Sequence, residues 1–219
     1  MNGFEKQELE TQGMMSKLFG SKPGHNALVE INNFLAESTA ATELTEEIVS
    51  NFIKNWGAKF DSSNIEYRSS MYRKVADHVY ISAVSKDDPV FEETRHLAQV
   101  LELPEKLQRL ADNGAKKVAY FSRCRKIISV EEPLTISEIN NVFGYDYEDG
   151  YDIRVQVFHD YLNKKFDEIA EQQRFSPDEE TALREICTKL DIPYEFKPNI
   201  QNALDKYRYL WSAENAPLG

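Results

Sequence analysis

Few of the residues able to do chemistry in this chain stand together. The four histidines are His25, His78, His96 and His159. None forms H-E-x-x-H or a close pair with another histidine, so zinc catalysis has no support. His159-Asp160 is a histidine–carboxylate pair within a predicted helix. The two cysteines, Cys124 and Cys187, form no C-x-x-C pair and fall beside apolar positions of predicted helices. That placement reads as small buried hydrophobes in a reducing compartment. No Gly-rich phosphate loop, G-x-S-x-G or dinucleotide fingerprint occurs. The sequence therefore assigns no catalytic residue, no metal ligand and no cofactor.

Charge is the more informative chemistry. Between Ile127 and Ile153 there is no basic residue, while Glu131, Glu132, Glu138, Asp146, Glu148, Asp149 and Asp152 all occur. The core of this run, Gly144-Tyr-Asp-Tyr-Glu-Asp-Gly-Tyr-Asp, invites a calcium reading. An EF-hand loop needs oxygen ligands at its positions 1, 3 and 5. Counting back from Gly150 gives Tyr145, Tyr147 and Asp149, so the pattern fails. The expectation is a solvated acidic connector, carrying Asp146, Glu148, Asp149 and Asp152, with tyrosines packed on the body; weak divalent binding is the alternative. A stripe of the opposite sign precedes it: Lys106, Arg109, Lys116, Arg123 and Lys126, with Lys117 and Arg125 adjacent. It reads either as an ordinary solvated helix face or as a docking surface for an acidic partner. That partner would be the acidic connector of a second copy, or nucleic acid. The formal net charge of −11, from 26 basic and 37 acidic residues, opposes general nucleic-acid binding and leaves a protein partner or self-association as the expectation.

No stretch approaches the roughly 20 apolar residues of a bilayer span, and the acidic N-terminus lacks the apolar core of a secretory signal. A cytoplasmic protein is expected. The short apolar leader at residues 14–20 suits packing onto the body or into a partner groove; peripheral membrane contact is its other use.

The elements that must position these residues are helical. Glycine is scarce, at 9 residues. Ile48, Val49, Phe52, Ile53, Trp56 and Phe60 recur at helical spacing, behind Thr45 as a cap with Glu46 and Glu47 in the first turn. Tyr72, Val75, Ala76, Val79 and Ala83 form a second stripe, and Val155, Phe158, Leu162, Phe166 and Ile169 a third. Alternating strand patterns are weak; the best surrounds Ile127, Ile128 and Val130. Asp88-Pro89 and Ser176-Pro177 read as caps with proline at the first helical position.

A shift of 89 residues aligns the chain with itself. Leu97 falls on Ile186, Leu101 on Leu190, Leu103 on Ile192, Pro104 on Pro193 and Ala115 on Leu204. The basic stripe does not follow: Lys106 falls on Glu195, Arg109 on Pro198, Lys116 on Asp205 and Arg123 on Ser212. The architecture therefore does not require those charges. Two three-helix units result, with helices near 64–86, 89–102 and 105–126, and near 152–173, 177–190 and 195–213. The expected organisation is an N-terminal helical region over 1–63, a first unit over 64–126, the connector over 127–151 and a second unit over 152–219. The fold class is an all-α bundle or array.

Tyr80-Ile-Ser-Ala-Val-Ser-Lys-Asp-Asp-Pro-Val-Phe-Glu-Glu-Thr resembles the acidic turn and the proline-led, Glu-Glu helix start of TerB-like (tellurite-resistance B-like) helical domains. Arg174-Phe-Ser-Pro-Asp-Glu-Glu-Thr is similar, as is the leader Met15-Ser-Lys-Leu-Phe-Gly-Ser-Lys. The resemblance covers residues 64–125 and again 152–213. The glycine that usually follows the acidic turn residue is missing from both copies, which departs from the family and removes the basis for a metal role. The resemblance implies a cytoplasmic helical module of stress or defence contexts, often without known catalysis, and the expected role is a non-enzymatic protein–protein interaction module. The alternative starts from His159-Asp160, which resembles the core of HD-type metal-dependent phosphohydrolases. That resemblance implies an earlier histidine, His78 or His96, and a later aspartate, Asp191 or Asp205, as further ligands.

Overall fold

A computed structural model describes residues 3–11 and 23–216. The leader at 14–20 and the last three residues lie outside the described part. Nine α-helices and no strand occur among the described residues. They are α1 (His25–Glu37), α2 (Glu46–Trp56), α3 (Ile65–Ser82), α4 (Phe91–Val100), α5 (Glu105–Ile128), α6 (Ile136–Phe143), α7 (Tyr151–Gln172), α8 (Pro177–Lys189) and α9 (Pro198–Glu214). No described helix is long and apolar enough to cross a membrane.

The chain separates into two compact units, Met1–Ala119 and Tyr120–Gly219, so the division falls inside α5. Residues 127–151 belong wholly to the second unit and contain α6. The expectation of a solvated connector is corrected here. Thr135 caps α6 by accepting from the Glu138 amide, and Glu138 returns a carboxylate to the Thr135 amide. Ile136, Ile139, Val142 and Phe143 are buried. Their helical spacing gives the short helix an apolar face that anchors the whole segment. The weak strand pattern at 127–130 falls on the last residues of α5 and the turn that follows it.

In the first unit α1 packs on α2 and α3, and α3 on α4. The stripe Tyr72, Val75, Ala76, Val79 and Ala83 is buried throughout, as expected of one helix face. Thr45 caps α2 through its Oγ1 and the Ile48 amide, and Gly57 ends α2 in the left-handed region at φ 61°. Asp88 also caps, accepting from the amides of Val84 and Val90. Pro89 and Val90 form a turn before α4, which begins at Phe91 rather than at the proline.

The second unit reuses the same junction. Ser176 caps α8 in a capping box with Glu179, and Pro177 takes the first helical position. Where α4 ends, Leu101, Glu102 and Leu103 donate to the carbonyls of Leu97, Gln99 and Ala98. Where α8 ends, Leu190, Asp191 and Ile192 donate to those of Ile186, Thr188 and Cys187. Every donor and acceptor is displaced by the same 89 residues. In both turns a carboxylate residue takes the left-handed conformation, Glu102 at φ 48° and Asp191 at φ 52°. The two helix ends thus match in backbone detail.

Candidate functional site

α5 carries the basic stripe, and its residues divide by burial. Lys106 and Arg109 are exposed on the first two turns. With Glu105, Leu110 and Asn113 they line a shallow depression of about 380 Å³. Leu110 is 69% exposed and Val118 is 51% exposed, an unusual position for large aliphatic side chains on a helix otherwise rich in charge. Residues 106, 109, 110, 113 and 117 follow helical spacing and share one face. Arg109 pairs with Glu105. Lys106 and Lys117 have no carboxylate partner among the described residues. The face therefore combines free ammonium groups with apolar surface, the composition of a docking patch more than of a solvating one.

Lys116 is half-buried, its ammonium 5.7 Å from the centre of the Tyr80 ring. Beside it Tyr72 donates to Asp112 Oδ1 at 2.8 Å. Burial raises the Asp112 carboxyl above its ordinary range, against the lowering effect of the Tyr72 hydroxyl.

Arg123 requires a correction. Its side chain is 5% exposed and pairs with Glu132, which is 3% exposed. Nε meets Oε2 at 3.1 Å and Nη2 meets Oε1 at 3.2 Å, a bidentate pair. The reason is the turn after α5. Val130 adopts φ 61° and the Glu131 and Glu132 amides both donate to the Lys126 carbonyl, which swings Glu132 back against the helix. Arg123 therefore leaves the docking stripe, and Glu132 leaves the solvated carboxylates. Lys126 is half-buried.

The acidic residues Asp146, Glu148, Asp149 and Asp152 are exposed, as expected. Asp146 Oδ1 accepts from the Glu148 and Asp149 amides, and Asp149 Oδ2 accepts from the Asp146 amide. These two carboxylates build their own turn. Asp152 lies in the first turn of α7, where the helix dipole favours it.

Beneath that turn is a cluster that no sequence motif announces. Arg154 is fully buried. Its Nη1 donates to the Tyr120 hydroxyl at 2.9 Å and Nη2 to the Tyr147 carbonyl at 3.1 Å, while Nε has no partner. The rings of Tyr147 and Tyr151 lie 4.7 and 5.8 Å from the guanidinium carbon. Tyr120 also donates to Asn140 Oδ1 at 2.7 Å, and burial pushes its phenol up to about 12 despite the Arg154 charge. A Cβ on Gly150 would lie 2.5 Å from the Tyr120 ring, so glycine is required by close approach. The tyrosines of the acidic run thus hold a buried arginine.

His159 and Asp160 diverge. His159 lines a 280 Å³ cavity with Tyr151, Val155 and Phe196. Asp160 lines a different one, of 580 Å³, with Arg125, Tyr161 and Lys164. Neighbours in a helix point about 100° apart, and the pair does not converge. His96 donates to the Leu44 carbonyl at 2.9 Å, and Asp205 pairs with Arg208. Among the described residues no three His, Cys, Asp or Glu side chains gather to hold a metal ion. Cys124 and Cys187 are buried, as expected, with thiols raised by burial to about 12 and about 11.

Compared with known proteins, the chain matches no family model, no curated protein and no solved structure. The functional reading therefore rests on this geometry and on the sequence.

Proposed function

We propose that the protein is a non-enzymatic helical interaction module of the cytoplasm, of the TerB-like kind its sequence resembles, acting in a stress or defence context. Its docking surface is the exposed face of α5 built from Lys106, Arg109, Leu110, Asn113 and Lys117. The observation that carries this reading is the 69% exposure of Leu110 between lysines that have no carboxylate partner among the described residues. The scaffold does not call for an aliphatic residue there: 89 residues later, at the matching place on α9, stands Asn199. The surface suits a protein partner that presents carboxylates around an apolar contact. Apolar burial supplies most of the affinity, and charge supplies orientation and rate. Self-association would use the same face.

The test is co-purification from the native host with the wild-type chain and with a Lys106→Glu, Arg109→Glu, Leu110→Ser variant. The partner is expected with the wild type and absent with the variant, while circular dichroism is unchanged. An identical partner set from both chains would refute the assignment.

A further inference from the structure

The segment at residues 4–11 is neither helix nor strand, yet it has a defined binding site on α1. That helix holds three asparagines, Asn26, Asn32 and Asn33, in thirteen residues. Asparagine is a weak helix former, and two of these are almost completely buried, Asn26 at 0% and Asn32 at 1%. Their neighbours on the helix, Leu28, Val29, Ile31 and Leu35, form the apolar core. Nothing in helix formation or core packing requires amides there.

The amides bind main chain. Asn33 Oδ1 accepts from the Gln7 amide at 2.8 Å, and its Nδ2 donates to the Gln7 carbonyl at 2.9 Å. Asn26 does the same to Glu10, at 2.8 and 3.0 Å. Asn32 Nδ2 donates to the Glu5 carbonyl at 2.8 Å. The spacing matches: seven helical residues span about 10.5 Å and three extended residues about 10 Å. Two asparagines two turns apart thus read every third residue of an extended chain, in the antiparallel sense. Side chains add contacts at three places, one of them an exposed ion pair between Lys6 and Glu37 at the end of α1. Phe4 is buried, with the Lys74 ammonium 4.9 Å from its ring centre, and Gln7 Oε1 accepts from the Tyr67 hydroxyl at 2.7 Å.

We infer that the asparagine row of α1 is a binding groove for an extended peptide, and that residues 4–11 occupy it as an intramolecular ligand. The incoming ligand is a partner segment with a free main chain, an aromatic residue at the place of Phe4 and an amide side chain three residues on. Without a peptide the asparagine amides would lose every hydrogen-bond partner named above, which keeps the groove in demand of one. The tethered segment has a high effective concentration, so a free peptide competes poorly with it in the wild-type chain.

The experiment is fluorescence anisotropy with a fluorescein-labelled peptide of residues 3–11, titrated with the full chain. Gln7→Pro removes the N–H that Asn33 accepts and weakens the internal ligand while leaving the groove intact. The peptide is expected to bind the Gln7→Pro chain about ten-fold more tightly than the wild type. Adding Asn33→Asp, which keeps the shape and the acceptor but loses the donor to the Gln7 carbonyl, is expected to reverse most of that gain. Circular dichroism confirms that both chains are folded. Equal binding to wild type and Gln7→Pro, or a gain untouched by Asn33→Asp, would overturn the proposal.

Discussion

The first long helix of each unit buries an arginine, and the two arginines are used differently. Arg68 on α3 donates to the Leu101 carbonyl at 2.6 Å, the Glu102 carbonyl at 3.1 Å, the Asp61 carbonyl at 3.0 Å and Asn64 Oδ1 at 2.9 Å. It ties its helix directly to the turn that ends α4. Arg154 stands 86 residues later, in the same place relative to the buried stripe, and reaches only the Tyr120 hydroxyl and the Tyr147 carbonyl. The turn that ends α8 is held instead by the Tyr147 hydroxyl, which donates to the Asp191 carbonyl at 3.3 Å. In the second unit the acidic, tyrosine-bearing segment stands between arginine and turn. The lesson is that two buried arginines at like places in their helices can hold different partners, and that Glu132, Glu138, Asp146 and Asp149 of the acidic segment are used in building it. In the first unit the α5 face keeps cations and aliphatic groups in solvent.

The largest effect is expected at Arg123. Arg123→Ala strands the buried Glu132 carboxylate and should cost about 3–5 kcal/mol in chemical denaturation. A loss below about 1 kcal/mol would return Arg123 to the surface stripe.

The arginine comparison itself is broken or kept by Arg68→Met against Arg154→Met. The first leaves three carbonyls without their donor, at about 1–3 kcal/mol for each that stays dry. The second removes two bonds and also an orphaned Nε, so it should cost clearly less. Equal losses would mean that the two positions bear the same load.

How much of this was legible in the sequence follows from which forces set each feature. Burial obeys the helical period, so the stripes of α3 and α7, the caps at Thr45 and Ser176 and the matching helix ends 89 residues apart could be read. The α2 stripe reads too long: α2 ends at Trp56, before Phe60, and buries only Val49 of that stripe. The polar interior could not. Arg123 has the charge of a surface residue, and only the left-handed turn at Val130 brings Glu132 back to it. Arg68 and Arg154 each sit four residues before a buried aromatic, Tyr72 and Phe158, and that placement inside an apolar stripe was the available signal. Asn26 and Asn32 offered another, as amides among the buried apolar residues of α1.

A smaller contrast comes from two glycines. A Cβ on Gly150 meets the buried Tyr120 ring, so Gly150→Ala should cost about 1–3 kcal/mol. A Cβ on Gly114 meets only the guanidinium end of Arg73, and that side chain can swing away. The helix-propensity gain of about 0.5–1 kcal/mol should then leave Gly114→Ala near neutral. Thermal melts of both variants decide it.

The smallest effect is at Asp112. Its folded carboxyl is raised by burial, so the protonated form is favoured in the fold. The stability this gives is complete below the ordinary carboxylate range and is lost as pH rises through the raised folded value. Asp112→Asn keeps an acceptor for Tyr72 and removes the titration. Relative to wild type, the variant should gain stability as pH rises through that window, and denaturation curves at several pH values will show a flat difference if Asp112 is not the source.

The docking face is tested most directly by amine-reactive cross-linking of the co-purified complex, read by mass spectrometry. Both units carry exposed lysines, among them Lys106 and Lys117 in the first and Lys164, Lys189 and Lys206 in the second. Partner cross-links are expected at Lys106 and Lys117, and should disappear with Leu110→Ser. Cross-links confined to Lys164, Lys189 and Lys206 would contradict the assignment of the α5 face.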